Sequence, residues 1–161
     1  MADIGKIDLI RVARPRGRSL KLTRPYRVSI YVIGWGVWLT GVLWVVFHYF
    51  LRVKGAFGLK ANPLEEWWLI GHGGFAVAAT FLFGFLWRPH IVSGWDLHWR
   101  RWSGGGLAGT TIFLILSGYA LYYIGGEAWL EWTAILHWGI GIAVIALFFL
   151  HWLSKGRPKE R

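Results

Sequence analysis

Residues Ile135–Leu153 read ILHWGIGIAVIALFFLHWL. This run is oily enough to lie in lipid, yet it carries two histidines, His137 and His151, each followed by a tryptophan. A lipid-facing helix gains nothing from an imidazole, and an ionisable side chain within a span usually faces the bundle interior and meets a partner there. The two histidines are 14 residues apart. At about 100° per residue that separation falls about 40° short of four turns and rises about 21 Å. One face of one helix therefore offers an imidazole near each of its ends.

The rest of the chain has the same character. Of its 161 residues, 55% are apolar and 13 are tryptophan, which places it among membrane proteins rather than soluble globules. Four segments lack Asp, Glu, Lys and Arg: Val28–Leu51, Trp67–Trp87, Ser103–Tyr123 and Trp132–Leu153. Each has about the 20 residues a helix needs to cross about 30 Å of hydrocarbon. Tyr and Trp crowd their ends, as in an interfacial belt. The third segment is the weakest, because Gly104, Gly105 and Gly106 are expected to loosen its start. The fold class expected is all-α, a four-helix transmembrane bundle. Cysteine is absent, which excludes disulfides, thiolate-held iron–sulfur clusters and thioether-linked haem within the chain. The start of the chain does not resemble a cleaved signal peptide, so the mature protein is read as beginning near Met1.

Charge orients the spans. Fifteen Lys and Arg fall before span one, between spans two and three, or after span four, against three in the other two loops. Both termini are thus expected in the cytoplasm. The net charge of +10 is a topology signal, and no nucleic-acid partner is expected. Attraction to anionic membrane lipids is a secondary consequence. Residues 1–27 read as a basic cytoplasmic segment, 28–153 as the membrane domain and 154–161 as a basic cytoplasmic tail.

On this topology His48, His72 and His137 lie toward the outer face, and His90, His98 and His151 toward the inner face. His72 and His137 sit at similar depth on different helices. Facing imidazoles at one depth suit bis-histidine ligation of a haem iron, since neutral imidazole is a good iron ligand and helical bundles build cofactor sites from facing helices. Small neighbours fit a flat porphyrin: Ala76 and Ala79 follow His72, and Gly141 follows His137. On span one, Gly34, Gly41 and His48 recur every seven residues. That stripe has room for a haem edge, although easing helix contact is the more general role of such glycines. The inner partner of His151 is less obvious. His90 lies 18 residues after His72. That is close to five turns, but its rise of about 27 Å overshoots the spacing on span four, and Pro89 threatens the helix there. His98, in a polar loop, is expected at the surface or on a propionate. Arg88, Arg100 and Arg101 inside and Arg52 outside are candidates to pair with haem propionates, although most arginines at such positions simply set topology.

At this point the sequence resembles a known group. SGYALYYIGGEAWLEWTAILHWGIGIAVIALFFLHWL, from Ser117, is similar to the last two helices of b-type cytochrome subunits. These include the gamma subunit of respiratory formate dehydrogenase and the cytochrome b subunit of nickel–iron hydrogenases. GHGGFAVA at Gly71–Ala78 and LTG at Leu39–Gly41 add to the likeness, which covers residues 24–156 loosely. The resemblance implies an outer haem b held by His72 and His137. It implies an inner haem b held by His151 and a histidine at the start of span one, where this chain reads RPYRVS instead. His90 is then the first choice for that ligand, and otherwise the inner haem is absent. His48 is extra to the pattern, either an alternative outer ligand or part of a haem-rim or quinol site.

The expectation is a cytochrome b subunit in the bacterial inner (cytoplasmic) membrane, multi-pass, binding one or two haem b and exchanging electrons with quinone. It would serve a larger membrane-associated redox complex as its electron-transfer arm, not as an enzyme by itself. The rival is a non-redox membrane anchor with structural histidines. A metal or proton transporter is weakened because no carboxylate accompanies the histidines within the spans.

Overall fold

The computed structural model describes residues 22–98 and 100–154. Four long helices dominate: α1 (Arg24–Tyr49), α2 (Pro63–Leu86), α4 (Arg101–Ala120) and α5 (Glu127–Leu153). A small antiparallel hairpin, β1 (Val53–Gly55) and β2 (Gly58–Lys60), joins α1 to α2. Beyond α2 the helix continues through a π-helical turn, Trp87–Val92, into the short α3 (Ser93–Asp96). The basic segment expected over 1–27 lies outside the described residues up to position 21, and the tail from 155 onward does too.

The helices begin before the charge-free windows do, and the reason is local. α1 starts at Arg24 with Pro25 in its first turn. The Asn62 side chain accepts from the Leu64 amide at 3.0 Å, with Pro63 next and Glu65 and Glu66 in the first turn of α2. Proline at the start and carboxylates in the first turn both suit a helix N-terminus, where amides are unpaired and the dipole is positive. Counting charges alone therefore truncates these helices.

Three stretches, Arg24–Tyr49, Pro63–Asp96 and Glu127–Leu153, are long and apolar enough to cross a membrane. The segment corresponding to span three is a helix of 20 residues, but it is not among those three. Its glycines, serines and threonines dilute its apolar content. They do not loosen its start: α4 runs unbroken through Gly104, Gly105 and Gly106. What those glycines do instead is admit close neighbours, His151 against Gly104 and Trp95 against Gly105.

Residue pairs across the seams fix direction. Gly36 meets Phe75, Gly41 meets His72 and His48 meets Glu65, so α1 and α2 are antiparallel. Ser103 meets His151 and Ser117 meets His137, so α4 and α5 are antiparallel too. The α1–α2 and α4–α5 seams are the extensive ones, and α1 also packs on α5. There the Trp38 indole donates to the Ile142 carbonyl at 3.3 Å, and Tyr31 meets Phe148 edge-on. α2 and α5 form no comparable seam. The hairpin and the α4–α5 turn mark one end of the molecule, the hairpin end. The opposite, terminal end carries the start of α1, the π turn and the end of α5.

Among the described residues no side chain is completely buried. Val45 is the one buried hydrophobic, and Thr40 and Ser117 are the buried polar residues. Large apolar side chains such as Trp67, Phe81, Phe85 and Leu116 point outward. An apolar exterior of this extent marks a surface that meets something other than water.

Candidate functional site: two facing imidazole pairs

Gly41 on α1 explains where His72 sits. A Cβ at Gly41 would lie 2.9 Å from the His72 Cε1, so the ring packs directly on the α1 backbone. There the His72 Nδ1 is 2.9 Å from the Val37 carbonyl and 3.5 Å from the Thr40 hydroxyl. A carbonyl only accepts, so Nδ1 carries the proton and donates. Nε2 is left with the lone pair. Thr40 spends its own hydroxyl proton on the Gly36 carbonyl, at 2.7 Å, which leaves its oxygen free to accept.

The same device recurs on α4. Gly118 lies against the ring of His137, where a Cβ would be 3.2 Å from Cε1, and the Ser117 Oγ is 2.8 Å from Nδ1. Gly104 lies against His151, where a Cβ would be 3.3 Å from Cε1, with the Ser103 Oγ 3.1 Å from Nδ1. Ser117 donates its proton to the Leu114 carbonyl and Ser103 is within reach of the Arg100 carbonyl. Three histidines are thus each held by a hydroxyl residue followed by glycine: Thr40–Gly41, Ser117–Gly118 and Ser103–Gly104. The two buried polar residues, Thr40 and Ser117, are both part of this support. Outer partners of this kind hold the tautomer and ring orientation of a ligating histidine and raise its basicity.

His90 is supported differently. It lies in the π turn with Pro89, a residue that has no amide proton and clashes with the carbonyl four residues before it. The π turn accommodates both defects, and such turns recur at functional sites. It also changes the rotation and rise that a straight helix would give beyond Leu86, and it packs on α4. The His90 Nδ1 is buried with no hydrogen-bond partner among the described residues.

The four rings meet in two pairs. His72 and His137 stand 6.3 Å apart, centre to centre, with planes at 87°. His90 and His151 stand 6.2 Å apart at 86°. No hydrogen bond joins the rings in either pair. The spacing has a chemical meaning. A histidine nitrogen bonds a transition metal at about 2.0–2.1 Å and lies about 1.1 Å from its own ring centre, so two imidazoles trans across one metal stand about 6.2–6.4 Å apart. Among the described residues no three His, Asp or Glu gather as a cluster. Two imidazoles alone would leave the other positions of a bound ion to a further group, and a haem would supply that group together with its iron.

The other candidates belong to neither pair. The His48 Nδ1 is 2.6 Å from the Glu65 Oε1, and the His48 ring stacks on Trp44 at 4.7 Å. Arg88 is exposed. Arg100 donates to the His151 carbonyl at 3.1 Å, and Arg101 lies over the Trp95 ring while donating to its carbonyl. His98 is exposed beside the Asp96 carbonyl. A Cβ at Gly141 would lie 3.8 Å from the Leu114 Cδ2, an ordinary contact, and would meet no histidine ring. Sequence reasoning passed over Thr40 and Ser103 as supports. A signal for them exists: Ser103–Gly104 and Ser117–Gly118 are themselves 14 residues apart, the same interval as His151 and His137. No protein family, curated protein or solved structure matches the chain.

Proposed function

We propose that the chain is a four-span membrane cytochrome b with both termini in the cytoplasm. His72 and His137 hold one haem b and His90 and His151 hold a second. One observation carries the reading: two imidazole pairs, 6.3 and 6.2 Å between ring centres, lie near opposite ends of the same helices. Three of the four rings have Nδ1 engaged by an oxygen of the neighbouring helix, which leaves Nε2 as the nitrogen that would meet a metal.

Bound haem iron supplies one-electron chemistry. The chain's own residues hold the ligand rings at a set distance, direct their lone pairs and keep the surroundings apolar. Two such centres at opposite leaflets form a path for electrons across the bilayer, between a partner redox protein and membrane quinone. The arrangement departs from the resembled subunits in one respect. The ligand they take from the start of their first span comes here from the π turn after α2.

The test is a pyridine haemochrome assay on the purified protein. Two haem b per chain are expected, with one remaining after His137→Ala and one after His151→Ala. A purified, folded protein without haem would sink the reading and leave a non-redox anchor.

A further inference from the structure

The four histidines are not held alike. At the hairpin end both rings set Nδ1 against an oxygen: His72 donates to the Val37 carbonyl at 2.9 Å, and the His137 Nδ1 lies 2.8 Å from the Ser117 hydroxyl, to which it would donate with iron on Nε2. At the terminal end only His151 has such an oxygen, the Ser103 hydroxyl, at the longer distance of 3.1 Å. His90 has no such partner among the described residues, although its Nδ1 is buried. A guanidinium is present there as well, since Arg100 bonds the carbonyl of His151 itself.

Each of these differences acts in one direction. Donation from Nδ1 makes the opposite nitrogen a better electron donor, which favours the more positive, oxidised state of a bound metal. A nearby cation favours the less positive, reduced state. Both arguments make the hairpin-end pair the better stabiliser of oxidised iron.

Resting on the haem reading above, we infer that Ser117 and Ser103 are positioning residues that tune the two centres. We infer also that the centre between His90 and His151 has the higher reduction potential. At half-reduction the electron rests at the terminal end. The hydroxyl–glycine dipeptide is then an electronic element as well as a steric one: glycine admits the ring, and the hydroxyl sets its donor strength.

A redox titration of the full-length protein, followed by visible and electron paramagnetic resonance spectra, tests this. Two separate waves are expected. His137→Ala should remove the lower and His151→Ala the upper. Ser117→Ala should move the lower wave to more positive potential and narrow the gap. Ser103→Ala should move the upper wave to more positive potential and widen it. Ser117→Thr, which restores a hydroxyl, should return the lower wave toward its original position. Coincident waves, or a lower wave that disappears in His151→Ala, overturn the inference. Two haems whose waves ignore both serines also overturn it while leaving the functional reading intact. Protein that binds no haem overturns both.

Discussion

A Cβ on Gly41 would lie 2.9 Å from the Cε1 of His72, closer than side chains normally approach. The absence of a side chain on α1 therefore sets the position of a ring on α2. Gly118 does the same for His137 at 3.2 Å, across the α4–α5 seam. Each imidazole of the hairpin-end pair is pressed forward by a glycine on its own neighbouring helix, and the two rings meet between the helix pairs.

Gly41→Val should push His72 out of register with His137. Overpacking of this kind costs about 1–3 kcal/mol, so the protein is expected to remain folded but less stable. Haem content, measured per chain, should fall from two toward one, with the terminal-end signal preserved. Two haems with unaltered spectra would show that the glycine contact does not hold the ring.

Pro89→Ala should act at the other end. Alanine restores an amide proton and removes the ring clash, so the turn that now runs as π helix over Trp87–Val92 can adopt the regular α pattern. Removing one residue's worth of extra winding rotates the downstream segment by about 100°. His90 then leaves His151. The expected outcome is loss of the upper redox wave with little change in helix content by circular dichroism.

His48→Ala should leave both haems in place, because His48 is bonded to Glu65 rather than to a ring of either pair. The cost falls on stability instead. Among the described residues Glu65 already has one buried oxygen without a partner, and the substitution takes His48 from the other. Leaving a buried polar group unsatisfied costs about 1–3 kcal/mol. Thermal unfolding in detergent should show the loss while the haem ratio stays at two. A drop in that ratio would place His48 among the ligands.

Trp38→Phe tests the contact between the two helix pairs. It removes the indole bond to the Ile142 carbonyl but keeps most of the apolar contact. A net loss of about 0.5–1.5 kcal/mol is expected, seen as an earlier unfolding transition with unchanged haem spectra.

Much of this arrangement can be read along the chain. Apolar length marks the helices, and a 14-residue interval puts His137 and His151 on one face because helical rotation is a local property. The matching interval between Ser103–Gly104 and Ser117–Gly118 comes from the same periodicity, since antiparallel helices in contact must repeat in step. His90 could be named as the first-choice partner of His151, but helical spacing could not place it there. Straight-helix geometry overshoots at His90, and whether Pro89 ends a helix or is absorbed in a π turn depends on what packs beside it. Periodicity says which residues share a face. The rotation and offset of one helix against another come from contacts between distant segments, such as Gly41 with His72 and Trp38 with Ile142. Those contacts bring four scattered imidazoles into two facing pairs.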